Sequence, residues 1–138
     1  MSMQGKRPDL DQRIQNAVFG LPLVRPDEQH RCLGTFYERI ELRISFAEAL
    51  KYNCSGVLQR LLKENSKYQL LINGQLDMDI MGQYIQSAKQ NGVLFAIRNS
   101  QYYRADSNSA AVILCADHAL NRDTVDVLER YPQLNKDV

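Results

Sequence analysis

Residues Arg39-Ile-Glu-Leu-Arg-Ile-Ser45 run straight into Phe46-Ala-Glu-Ala-Leu50, and this join decides the fold class. The first half alternates polar and apolar. Ile40, Leu42 and Ile44 fall on one face and Arg39, Glu41 and Arg43 on the other, which predicts a strand with one wet face. Ser45 and Glu48 stand at capping-box spacing, so a helix begins at once, with Phe46, Ala49 and Leu50 as its apolar side. Asn53 and Gly56 mark a break. Val57, Leu58, Leu61 and Leu62 then continue at helical spacing.

The alternation of strand and helix recurs downstream. Residues 68–72 are a short apolar run closed by Asn73-Gly74, a turn pair, and read as a buried strand. Asp77 and Asp79 suit the positive end of a helix whose face is Ile80, Met81, Tyr84, Ile85 and Ala88, and Asn91-Gly92 ends it. Residues 93–97 and 110–116 are apolar throughout, the pattern of strands buried on both faces. The polar segment 99–109 between them is a hairpin arm or a loop. Without a helix to cross over, the last two strands are expected to pair antiparallel. Asn121 is expected to cap a short helix reaching Leu128, and Pro132 to begin the tail. The order is β-α-β-α-β-β. It predicts an α/β (α+β) domain with a four-stranded mixed sheet and right-handed crossovers.

Upstream, residues 1–8 are polar. Asp9 with Gln12 reads as the cap of a helix carrying Leu10, Ile14, Ala17 and Val18, and Gly20 ends it. Residues 21–34, with Pro22, Pro26 and Gly34, form an irregular connection. The chain has 138 residues, the length of one domain. Residues 9–34 are expected to be an N-terminal helical arm that docks on its own core or on a partner. Residues 35–128 form the core and 129–138 a tail.

Composition narrows the function. Lys and Arg total 17 against 16 Asp and Glu, a formal net charge of +1. Residues 1–70 carry 11 basic and 8 acidic groups (+3), and residues 71–138 carry 6 and 8 (−2). Neither half is the basic stripe that phosphate neutralisation needs, so nucleic acid is disfavoured. Cys32, Cys54 and Cys115 are odd in number and far apart, which fits neither a disulfide framework nor a zinc site. No apolar run reaches the roughly 18 residues of a membrane span, and the charged N-terminus has no apolar stretch behind it. A cytoplasmic location is the expectation.

Five places can be weighed as sites, each against an ordinary structural role. His30 and Cys32, two apart, have no third ligand nearby, so surface loop residues are the plainer reading. Asp117-His118 follows the last strand, where α/β folds often place working residues. Neighbouring side chains diverge, however, and no nucleophile elbow accompanies them. Gly74 lies at a strand end, before a helix whose two aspartates would repel an anion. Tyr102, Tyr103 and Arg104 fit ring stacking, a protein interface, or a hairpin covering the sheet edge. Arg39 and Arg43, with Glu41 between them, read as a solvated sheet face. No set of residues meets the nucleophile, base and orienter test.

At Cys32-Leu-Gly-Thr-Phe-Tyr-Glu-Arg-Ile40 the chain resembles the YueI-like family of small Firmicute proteins. Leu33-Gly34-Thr35-Phe36 with Glu38-Arg39 carries most of the likeness. Residues 20–27, Leu71-Ile-Asn-Gly74, Tyr84-Ile85 and Ala119-Leu-Asn121 extend it over most of residues 9–127. The resemblance implies a fold similar to Bacillus chorismate mutase-like and L30e-like domains, and it implies no function. Fold analogy offers chorismate chemistry, which would need paired arginines near a Glu and a Tyr at a subunit interface. It also offers RNA binding, whose glycine-bearing turn is missing before Ser45-Phe-Ala-Glu-Ala-Leu-Lys51.

The reading that results is a non-catalytic binding domain for a protein or small ligand, with a homodimer as one form of partnership. The alternatives are an enzyme with its site at a subunit interface and an RNA-binding domain. No catalytic, cofactor-binding or metal residue is assigned, and no cofactor is expected. The candidate positions are Thr35, Phe36, Arg39, Gly74, Tyr102, Tyr103, Arg104 and Asp117. Gly34, Thr35 and Phe36 are expected to pin the arm to the strand, and Phe36→Ala, if Phe36 is buried, to cost about 3 kcal/mol or more.

Overall fold

The computed structural model describes residues 26–65 and 67–136. The helix expected over residues 9–20 lies outside them. The chain runs through α1 (Pro26–Arg31), a 3-10 turn (Tyr37–Arg39), β1 (Ile40–Ser45), α2 (Phe46–Lys51) and α3 (Ser55–Glu64). It continues through β2 (Gln69–Asn73), α4 (Met78–Gln90), β3 (Leu94–Arg98) and β4 (Ala110–Cys115), and ends with α5 (Val127–Arg130) and α6 (Gln133–Lys136).

The caps form where the spacing puts them. The Ser45 hydroxyl accepts from the Glu48 amide while the Glu48 carboxylate accepts from the Ser45 amide. This reciprocal cap turns β1 directly into α2. Asp77 accepts from the amides of Asp79 and Ile80 to open α4. The break at Asn53 separates α2 from α3, and Asn53 accepts from the Ser55 amide. Further on, the expected cap is displaced. Asn121 sits at a φ of 54°, a left-handed turn conformation that Asn tolerates, while Asp126 accepts from Leu128 and caps α5.

The four strands form one mixed sheet in the order β1-β4-β2-β3. β4 runs antiparallel to both β1 and β2, and β2 pairs with β3 in parallel. The expected β3–β4 pairing is therefore wrong. β4 is buried at every position and takes the interior slot. The polar loop 99–109 carries the chain past β2 to reach it. β3 is left on the edge, with Leu94 77% exposed and Ile97 44% exposed. An apolar run identifies a strand but not its place in the sheet.

β1 also departs from simple alternation. A register shift between Ile40 and Leu42 places a bulge at Glu41. Leu42 and Ile44 join the larger core under α2, α3 and α4. Ile40 instead joins a smaller cluster on the opposite face, with Leu33, Leu71, Ile113, Cys115 and Val125. Glu41 is buried, so the face expected to be wet is sealed at its centre.

The segment after α1 closes that second face. Leu33 is 1% exposed although its φ is 52°, and Gly34 follows at 98°. Two successive left-handed residues turn the chain sharply, and the Gly34 amide donates to the Gln29 carbonyl. Thr35 is buried. Phe36 is only half-buried, with the Arg39 guanidinium 5.3 Å from its ring centre. Leu33, rather than Phe36, is the pin.

The cap of α2 carries a pH dependence. Burial, followed by the neighbouring Asp126 carboxyl, pushes Glu48 up from 4.5 to about 7. The folded state therefore holds this proton more tightly than the unfolded chain. Its stabilisation is complete below the unfolded value and is lost as pH rises toward 7. We expect a stability decline on the order of 2 kcal/mol between these limits. Glu48→Gln keeps the capping acceptor and should flatten that slope in thermal melts at acidic and mildly alkaline pH. An unchanged slope in the variant would assign the pH dependence elsewhere.

Candidate functional site

β1, β2 and β3 point their carboxyl ends to one pole, where β4 begins at Ala110. Ligands of open α/β sheets collect at such ends. Here a cleft of about 550 Å³ opens between α1 and the loop 99–109. His30 and Arg31 of α1 line it, with Arg43 of β1, Asn73 after β2, and Tyr102 and Arg104 from the loop. Asp27, Asp106, Asn108 and Ser109 complete its polar rim.

Asn73 builds this site from beneath. It is 1% exposed, and its Nδ2 donates to the carbonyls of Arg104 at 3.0 Å and Ala110 at 3.2 Å. Its Oδ1 accepts from the Gln75 amide, and Gln75 Nε2 donates to the Tyr103 carbonyl. One turn thus holds a loop of eleven residues, 99 to 109, over the strand ends. Gly74 donates its amide to the Arg98 carbonyl, and a Cβ there would fall 1.8 Å from Asn99 Oδ1. A side chain at Gly74 would drive Asn99 out of place.

Three guanidinium groups reach the cleft. Arg43 donates to the Asn108 carbonyl and lies 3.7 Å from Asp126. Arg104 pairs with Asp106 at 3.7 Å, both well exposed. Arg31 is exposed, with no carboxylate in ion-pair range among the described residues. Beside them Tyr102 stacks on His30, with centroids 4.5 Å apart and planes 10° from parallel. Tyr102 is 47% exposed, so part of its ring stays open to a ligand. Tyr103 turns inward instead, where its hydroxyl lies 3.4 Å from the Cβ position of Gly34, and burial pushes its phenol up.

Of the candidate positions, Tyr102 and Arg104 line the cleft, and Gly74 and Tyr103 shape its walls. Thr35, Phe36 and Arg39 belong to the segment that closes the second face. Asp117 lies past the end of β4, at the other pole. It meets His118 at 2.8 Å despite their adjacency, and that hydrogen bond holds its carboxyl below the usual range. Both are exposed. The sequence did not single out Arg31, it read Asn73 with Gly74 as a tight turn, and it read His30 and Arg43 as ordinary surface. Only the fold brings them together.

A second polar constellation sits at the pole opposite the cleft. Glu41 accepts from Tyr68 Oη at 2.6 Å and pairs with Arg130 at 2.7 Å and Arg122 at 3.0 Å. Arg130 also donates to the Glu41 carbonyl. Two arginines, a Glu and a Tyr do converge, but the carboxylate is saturated within the protein. The set ties the C-terminal segment to β1.

The three thiols are buried. Burial pushes Cys32 and Cys54 up to about 11 and raises Cys115 as well. Among the described residues no three His, Cys, Asp or Glu side chains gather to hold a metal, and no helix is long and apolar enough to cross a membrane.

Comparison with known proteins agrees with the resemblance at Leu33–Phe36. A protein of Bacillus subtilis strain 168, described as uncharacterized protein YueI, is 29% identical over 116 residues, covering 84% of this chain and 86% of that protein. The crystal structure of the YueI protein from Bacillus subtilis superposes with a TM-score of 0.67 at 28% identity, covering 87% of this chain and 91% of that one. The family model for proteins of unknown function DUF1694 matches residues 7–126. The chain belongs to the DUF1694 family.

Proposed function

We propose that this domain is a non-catalytic binding module whose cleft takes a small anion carrying a flat ring. One observation carries the reading. Arg31, Arg43 and Arg104 face a single cleft at the strand ends, beside the open ring of Tyr102. Guanidinium forks suit carboxylate or phosphate oxygens, and an exposed aromatic face suits a planar group. A cleft of about 550 Å³ has the size of a small-molecule site. The comparisons support neither an enzymatic nor an RNA-binding alternative. Three buried, unpaired cysteines support a cytoplasmic setting, where thiols stay reduced.

Thermal shift with inorganic phosphate, phenyl phosphate and a nucleoside monophosphate tests this. The ring-bearing probes should raise the melting temperature at low salt, more than phosphate does. Arg31→Ala with Arg104→Ala removes two exposed cations and should weaken binding by about tenfold or more. Equal shifts in the double variant would place the ligand elsewhere. No shift with any of the probes would count against an anion site.

A further inference from the structure

The two edges of the sheet are finished differently. At the β1 edge the Arg43 amide donates to the Val125 carbonyl at 2.8 Å, and Arg43 and Asp126 form a parallel bridge. The segment before α5 thus covers that edge. At the other edge, β3 pairs with β2 alone among the described residues. Exposed edges are normally blunted by Lys, Pro, a bulge or an inward charge. Leu94-Phe-Ala-Ile97 carries none of these, and its parallel register with β2 is unbroken. Only Arg98, at the carboxyl end of the strand, is an inward charge of that kind, with its guanidinium carbon 3.6 Å from the Cβ position of Gly34.

We propose that β3 pairs antiparallel with β3 of a second copy of this chain, about a two-fold axis at Ala96. The register explains why the occupant is a second copy. Ala96 would face Ala96, Phe95 would face Ile97, and Leu94 would face Arg98 of the other copy. Phe95 and Ile97 form an apolar cross-strand pair on the helix side, repeated by symmetry. Leu94 lies along the aliphatic stem of Arg98, and no like charges meet. Ile85 of α4 and Phe95 are both only partly covered by the core, and they continue the apolar strip. Joining two four-stranded sheets this way gives one continuous sheet of eight strands. A five-residue ladder is small beside a standard interface of about 800 Å² per partner, so the dimer should dissociate on dilution.

Sedimentation of the full chain, with cysteine cross-linking, tests the proposal independently of the cleft. The wild type should show a concentration-dependent monomer–dimer equilibrium. Ala96→Cys should oxidise to a covalent dimer, because directly opposed Cα atoms lie about 4.5–5.5 Å apart, within disulfide reach. Leu94→Cys, displaced from its own copy, should cross-link at least tenfold more slowly. Leu94→Lys with Ile97→Lys alters exposed positions only and should give a folded monomer. A wild type that is monomeric at all concentrations overturns the proposal, as does a dimer indifferent to the lysine pair. Slow amide exchange over residues 94–98 in a monomer also overturns it, and would assign the edge to this chain's own N-terminal residues.

Discussion

Glu41→Ala is expected to lower the stability of the fold by about 3–5 kcal/mol, the largest loss from any single polar position. Glu41 is 3% exposed and gathers Arg122, Arg130 and the Tyr68 hydroxyl. Removing the carboxylate leaves two cations facing a closed space and a phenol without its acceptor. Arg122 is 44% exposed and can turn to water, which favours the lower end of the range, whereas Arg130 at 21% has less freedom. Glu41→Gln keeps the shape and an acceptor for Tyr68, and should lose about half as much. Chemical denaturation reads both values. A Glu41→Ala midpoint close to the wild type, with an unchanged slope, would mean that the clamp contributes little.

The second large effect belongs to Leu33. It is among the largest fully buried side chains and anchors the segment after α1 against Ile40, Ile113 and Cys115. Leu33→Ala should lose about 3 kcal/mol, because the turn at Gly34 leaves little room for the cavity to collapse. Phe36→Ala should lose less, about 1–2 kcal/mol, since that ring is only partly buried. The sequence pointed to Gly34, Thr35 and Phe36 as the residues that pin the segment. Because α1 also carries His30 and Arg31, the Leu33 variant should weaken ligand binding in the cleft. If Phe36→Ala proves the more damaging, the segment is pinned at the wrong residue in this account.

Local chemistry was legible at several places where a residue acts on its neighbours, although not at Asn121 or at Asp117-His118. Ser45 with Glu48, Asp77 with the amides of Asp79 and Ile80, and the Asn73-Gly74 turn all follow from spacing alone. The sheet order was not legible. β3 and β4 are equally apolar in sequence, and their places depend on which strand the loop 99–109 carries inward. The bulge at Glu41 was hidden because Arg39, Glu41 and Arg43 alternate perfectly. Burial of Glu41 became possible only when Arg122 and Arg130, some eighty residues away, arrived to neutralise it. The cleft was half visible. Tyr102 and Arg104 stood out as an aromatic beside a cation in a polar loop. Arg31, Arg43 and His30 had no such signal, since they come from separate elements that meet only when α1 docks.

The cleft itself is tested most directly by amide and arginine side-chain NMR spectra during a titration with phenyl phosphate. Binding in the cleft should confine the shifts to residues 27–31, 43, 73–75 and 102–109, with the Nε–H signals of Arg31 and Arg104 moving together and saturating at one affinity. Shifts centred on Glu41, Arg122 and Arg130 at the opposite pole would contradict it, and so would a spectrum that does not move.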